Sequence, residues 1–241
     1  MSADLSIAVP VYNEGDNICR LFDQIESKID KNCLNEVVLV YDFEEDSTVP
    51  AAKQAAGRYS FPIRLVRNHF GRGALNAIRT GFQEVRGPFV LVCMADLSDD
   101  ITAVRPMLEK MREGYDVVCG SRYMRGGHQY GGPLLKRTLS RLAGVSLHYL
   151  AGVPTHDVTN SFKMYRKELL ERLTLESTGG FEIGMEIVVK TFALGGKIGE
   201  VPSNWYDREA GESRFRLWKW LPNYLRWYWY GIKARFRRKR Q

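Results

Sequence analysis

The sequence predicts an α/β protein: a mostly parallel central sheet with helices on both faces, followed by C-terminal amphipathic aromatic-basic helices. Three observations predict it. Short, apolar, β-rich runs alternate with stretches of helical periodicity from residue 5 to residue 119, the pattern of parallel strands joined by helical crossovers. Two of these runs end in acids, Val37-Val38-Leu39-Val40-Tyr41-Asp42 and Phe89-Val90-Leu91-Val92-Cys93-Met94-Ala95-Asp96. Those carboxylates then lie at the carboxyl edge of the sheet, where ligands of open α/β sheets bind. Finally, four of the five tryptophans fall within residues 217–229, among lysines and arginines.

In chain order, residues 5–11 read as a buried strand, and residues 17–29 as a helix with Ile18, Leu21, Phe22, Ile25 and Ile29 on one stripe. Strands at 37–41, 63–66, 89–94 and 116–119 are separated by helices at 50–57, 73–85 and 102–112. The second half is less regular. Residues 123–132 carry four glycines and form a loop; a helix follows at 134–150, then a polar turn at 155–161. A helix at 182–194 places Glu186 on its inner stripe, a strand spans 197–201, and a loop at 206–214 leads into the tail. Within the tail, Pro222 separates two short helices. Residues 1–214 are one domain and 215–241 an appendage, in a chain long enough to bury a sizeable core.

The formal charge of +7 is unevenly spread. Ten of the 35 Lys/Arg lie from Arg214 onward, where no acid occurs, so residues 1–213 hold 25 basic against 28 acidic residues, a net of −3. An acidic body argues against nucleic acid and assigns the basic character to a surface-binding tail. Cys19, Cys33, Cys93 and Cys119 lack zinc-site spacing and read as reduced thiols. No signal-peptide pattern opens the chain and no apolar run is long enough to span a bilayer, so a cytoplasmic location is expected.

Val9-Pro10-Val11-Tyr12-Asn13-Glu14 ends the first strand in polar side chains, which also suit a helix start. Asp42-Phe43-Glu44-Glu45-Asp46-Ser47-Thr48 is an acidic loop in which a carboxylate accepts from a nucleobase N–H or merely caps the next helix. Asn68 and Gly71-Arg72-Gly73 let backbone approach a ligand closely; the match to a dinucleotide fingerprint is superficial, since it follows the third strand. Met94-Ala95-Asp96-Leu97-Ser98-Asp99-Asp100 gathers three carboxylates, an oxygen set that suits Mg²⁺ or Mn²⁺ on a diphosphate. Asp99 and Asp100 equally suit a helix cap.

Together with Gly120-Ser121-Arg122-Tyr123, residues 157–166 and 181–186, and Asp207-Arg208-Glu209-Ala210-Gly211-Glu212-Ser213-Arg214, these stretches resemble the family 2 glycosyltransferases of GT-A (Rossmann-like) fold. Within them the chain is similar to the dolichol-phosphate mannosyltransferase-like, polyprenyl-phosphate glycosyltransferase branch. The resemblance implies that Pro10, Tyr12, Glu14, Asp42, Asn68 and Gly73 line the nucleotide pocket. It implies a divalent cation on Asp96, with Asp99 as a further candidate. Arg122 would face the acceptor phosphate, with Lys136 and Arg137 as alternatives, and Arg208, Ser213 and Arg214 would close on the donor diphosphate. Arginine suits phosphate through its bidentate donors.

Two departures stand out: Met94 replaces the first acid of the family's DxD, and Tyr41 the first of an Asp pair. A thioether is a poor ligand for a hard cation. Either Asp96, Asp99 and diphosphate oxygens suffice, or metal dependence is weakened, or activity is lost. The expected function is inverting transfer of a sugar from a GDP- or UDP-sugar to a polyprenyl or dolichyl phosphate. An already anionic acceptor needs no general base. Two alternatives remain: transfer to a glycan or other hydroxyl, with Asp157 or Glu186 as base, and a catalytically silent membrane-docking or regulatory module. Residues 216–240 are expected to anchor the protein peripherally on anionic lipid at the cytoplasmic face, since Trp and Tyr favour the headgroup region; packing of the same aromatics onto the body is the competing reading.

Overall fold

The computed structural model describes residues 3–207 and 217–238. Its first half alternates as expected: β1 (Leu5–Pro10), α1 (Gly15–Lys28), β2 (Leu34–Tyr41), α2 (Thr48–Ala55), β3 (Ile63–Arg67), α3 (Ala74–Glu84), β4 (Phe89–Val92), α4 (Val104–Arg112) and β5 (Val117–Ser121). A short ribbon strand β6 (His128–Tyr130) and α5 (Leu134–Ser146) follow. The predicted 134–150 helix therefore ends early, in a π turn over Leu147–Ala151 closed by left-handed Gly152. Then come β7 (Lys163–Arg166), α6 (Lys167–Arg172), α7 (Ile183–Ala193), β8 (Ile198–Pro202), β9 (Asn204–Tyr206) and α8 (Leu217–Arg238).

The seven-stranded sheet runs β3-β2-β1-β4-β7-β5-β8. All neighbours are parallel except β7, which pairs antiparallel with both β4 and β5. β7 and α6 are unassigned in the sequence reading. Only four residues long and led by a lysine, β7 has too little pattern to register as a central strand. Separately, β6 and β9 form a small parallel ribbon, with Tyr130 opposite Tyr206.

Strands buried on both faces explain the continuous apolar runs. One face packs against α1, α2 and α4, with Phe22, Ile25 and Met107 in its core. The other packs against α3, α7 and α8, with Ile78, Val188 and Trp227. Gly144 of α5 lies so close to the His156 carbonyl that a β-carbon has no room there.

The tail corrects one expectation. α8 is continuous and Pro222 lies inside it. Proline removes one helical hydrogen bond, but Pro222 is on the exposed side, where water can satisfy the freed carbonyl.

Candidate active site

The carboxyl ends of β1 and β2 are laced together by side-chain-to-backbone bonds. The Asn13 N–H, at φ 54°, donates to Asp46 Oδ1 at 3.0 Å; the Glu14 N–H donates to Thr48 Oγ1 at 2.9 Å; the Ser47 N–H donates to Asn13 Oδ1 at 3.2 Å. Asn and Asp supply the short acceptors that such turns need. This lacing presents Tyr12 and Phe43 edge to face at 5.3 Å, with the Arg72 guanidinium 5.6 Å from the Phe43 ring centroid. Asp42 lies beside them but is already engaged. Its Oδ1 accepts from Asn68 Nδ2 at 2.8 Å and its Oδ2 from the Gly73 N–H at 2.9 Å, where Gly73 has φ 116°. Asp42, Asn68 and Gly73 therefore form one hydrogen-bonded corner between β2, β3 and α3. Glu14 accepts from Asn17 Nδ2 at 2.8 Å at the start of α1, and Pro10 is the half-buried last residue of β1.

After β4 the chain turns through Met94-Ala95-Asp96. Asp96 is half-buried, and its Oδ1 accepts from Ser98 N at 3.2 Å and Ser98 Oγ at 2.6 Å. Leu97 takes φ 62°, a strained conformation for a non-glycine residue. Asp99 differs from the expectation. It is 6% exposed and turned inward, accepting from the Met94 N–H at 2.9 Å. Burial pushes its carboxyl up to about 7, the Met94 N–H opposing and the Asp96 charge adding. A hard cation of the Mg²⁺ type is commonly held by one or two carboxylates plus substrate phosphates. Asp96 fits that pattern; Asp99 and Met94 do not. Among the described residues, no three His, Cys, Asp or Glu side chains gather to hold an ion by themselves.

On the far side of the sheet's carboxyl edge, Arg122 follows β5 and is 8% exposed. Its Nε and Nη2 donate to Asp157 Oδ2 at 2.7 Å and Oδ1 at 2.9 Å, a bidentate pair. The remaining edge meets neutral groups: Gln129 Oε1 at 3.3 Å, Ser140 Oγ at 2.9 Å and Thr159 Oγ1 at 3.1 Å. Tyr123 lies against the guanidinium at 4.8 Å, and its hydroxyl donates to Ser140 Oγ at 2.9 Å. Burial alone would raise the Asp157 carboxyl; the Arg122 charge and hydrogen bonds, then the Lys163 charge, outweigh it and hold it below its ordinary value. Sequence reasoning missed Ser140 and Gln129, because a lone serine on a helix and a glutamine in a glycine loop carry no motif. Lys136 and Arg137 occupy the first turn of α5, one turn before Ser140, both half-buried. Arg208, Ser213 and Arg214 lie outside the described residues.

Neither carboxylate considered as a general base is available. Asp157 is fully buried on Arg122. Glu186, also fully buried, accepts from the Glu176 and Ser177 N–H groups and pairs with Lys190 at 2.7 Å. It anchors the loop before α7.

The tail helix has two apolar faces. On the inner one, Trp227 is 1% exposed and its Nε1 donates to Ser177 Oγ at 3.0 Å; Tyr228 meets Ser146 at 3.0 Å, and Gly231 sits against Leu147 and Val189. Trp218, Leu225, Trp229 and Phe236, spaced seven, four and seven residues apart, form the opposite stripe and are all exposed. The neighbouring α5 and π turn likewise expose Leu134, Leu135, Leu142, Tyr149 and Leu150, each by more than half. Among the described residues, no helix is long and apolar enough to cross a membrane.

A mostly parallel α/β sheet with a carboxylate turn, an aromatic corner and a buried arginine along its carboxyl edge is consistent with the glycosyltransferase class. The chain belongs to glycosyl transferase family 2, whose model matches residues 6–174. It is 30% identical over 226 residues to a dolichol-phosphate mannosyltransferase of Pyrococcus furiosus, covering 92% of this chain and 62% of that protein. It is 27% identical over 213 residues to a polyprenol monophosphomannose synthase of Mycolicibacterium smegmatis, covering 86% and 79%. The fold is shared with glucosyl-3-phosphoglycerate synthase of Mycobacterium tuberculosis. Its complex with Mn²⁺, UDP and glucosyl-3-phosphoglycerate superposes with a TM-score of 0.64 at 18% identity, over 97% of this chain and 80% of the other.

Proposed function

We propose that the protein transfers a sugar from a nucleotide-diphosphate sugar to a polyprenyl phosphate at a membrane surface, inverting the anomeric carbon by direct displacement. The observation that carries this reading is Arg122. One edge is fixed on Asp157, and the other, among the described residues, meets the neutral Gln129, Ser140 and Thr159, groups an anionic acceptor can replace or join. The two relatives named for lipid-phosphate mannosyl transfer support it. So does the engagement of Asp157 and Glu186 elsewhere: a phosphate oxygen is already a nucleophile, whereas a sugar hydroxyl needs a base.

In this reading the Tyr12, Phe43 and Arg72 corner receives the nucleobase, and Arg208, Ser213 and Arg214 close over the diphosphate. Asp96 would hold Mg²⁺ or Mn²⁺ as its one protein carboxylate, the diphosphate supplying further oxygens. When bound, such a cation neutralises the charge that develops on the leaving diphosphate. The outward stripe of α8, with the exposed leucines of α5 and the basic residues of 216–240, is assigned to an anionic bilayer on the cytoplasmic side. In this reading each face of α8 has its own role, packing on the inner one and lipid contact on the outer.

Incubating the full chain with GDP- and UDP-sugars and a short-chain prenyl phosphate should give a lipid-linked sugar phosphate. Transfer to sugar alcohols instead would sink the assignment. Because Met94 also suits a silent module, absence of stabilisation by every nucleotide, with or without Mn²⁺, would favour that alternative.

A further inference from the structure

Lys163 opens β7 at the centre of the sheet, opposite Val92 on one side and Cys119 on the other, with no solvent exposure. A buried ammonium is costly unless its donors are used and its charge is balanced. Among the described residues it has no carboxylate within ion-pair distance. Its Nζ donates instead to two main-chain carbonyls, Val158 at 3.2 Å and Asn160. Both belong to the turn that carries Asp157. The turn is also held from within: Asp157 Oδ1 accepts from the Asn160 N–H at 3.1 Å, and Asn160 Nδ2 reaches back to the Gly120 carbonyl at 2.9 Å, two residues before Arg122. Asp157 and Thr159, the groups that orient the Arg122 guanidinium, thus project from a turn whose far side hangs on one ammonium. A methionine would fill a similar volume more cheaply, which makes the charge and its donors the property to explain.

We propose that Lys163 is a positioning residue for the acceptor phosphate: it clamps the 157–160 turn so that Asp157 and Thr159 present Arg122 at a fixed height and angle. The inference rests on the reading of Arg122 as the acceptor-phosphate contact. Lys163 touches neither substrate; it acts through the turn.

The test compares full-length wild type with K163M, which removes the donors and the charge, and K163Q, which keeps N–H donors without the charge near the same volume. The expected result is a rise of about tenfold in KM for a short-chain prenyl phosphate, with kcat at saturating acceptor nearly unchanged and nucleotide affinity by calorimetry unaltered. K163R should restore much of the acceptor KM. Parallel loss of nucleotide and acceptor affinity, or unchanged KM in a folded variant, would overturn the proposal. Should no variant fold, the ¹⁵N resonance of the Lys163 ammonium in wild type carries the test: it should shift on adding prenyl phosphate, and an unmoved resonance counts against the clamp. If wild type itself transfers nothing to prenyl phosphate, the Arg122 reading fails rather than the clamp.

Discussion

Met94 stands on the turn where the family resemblance leads one to expect a first metal-binding acid, and Asp99 nearby faces inward with a backbone N–H on its carboxylate. In the proposed reading, cation binding therefore depends on Asp96 and the donor's own oxygens. M94D should tighten Mn²⁺ binding to the nucleotide complex by about tenfold, read by calorimetry; an unchanged affinity would show that the turn cannot use a second carboxylate. D99N should leave that affinity alone and change pH dependence instead. With a folded value of about 7 against an ordinary 3.8, Asp99 holds its proton in the folded state over a range where the unfolded chain has lost it. Wild-type stability should accordingly fall as pH rises from about 4 to about 7, and D99N should flatten that slope in thermal melts. Asp96 is readable as a candidate because it closely follows an apolar strand run, and Arg122 through the family resemblance alone. Asp99's inward turn is not, because nothing in an acidic string tells which carboxylate the backbone will claim.

Among the elements, α8 is proposed to separate stability from membrane contact by face. W227A removes a fully buried indole and its bond to Ser177, and should cost about 3–5 kcal/mol in denaturant unfolding. Replacing Trp218 and Trp229 together by serine should leave the melting temperature nearly unchanged yet abolish co-sedimentation with anionic liposomes. Retained binding would assign the lipid contact elsewhere, first to the leucines of α5. The aromatic-basic pattern made a helical tail readable. Its packing was not readable, because tryptophans recur on both sides of the helix and periodicity alone cannot say which side meets the body. Pro222 misled for a related reason: its effect depends on whether the freed carbonyl can reach water.

For the whole molecule, an acidic body of net −3 with ten basic residues from Arg214 onward makes an oriented charge. Vesicle binding should weaken steeply between low and high salt, while nucleotide-induced thermal stabilisation, about 2.7 kcal/mol at a hundred-fold excess over Kd, should persist. Salt-insensitive vesicle binding would assign the contact to apolar insertion alone. The parallel half of the sheet was legible because every strand there repeats one pattern. The half around β7 was not, since a four-residue reversed strand takes its place from partners far along the chain. That late insertion bears on synthesis. β4 and β5 cannot join until residues 163–166 have emerged, some 40 residues after β5 ends. Until then both present open hydrogen-bonding edges, and a nascent or truncated chain ending before Lys163 would hold the β3-β2-β1-β4 sheet with one edge unsealed and β5 without a partner strand, both prone to pair with other chains. Completion of β7 is therefore the step that seals β4 and ties β5 to the first half of the sheet, leaving β8 to cover the last edge.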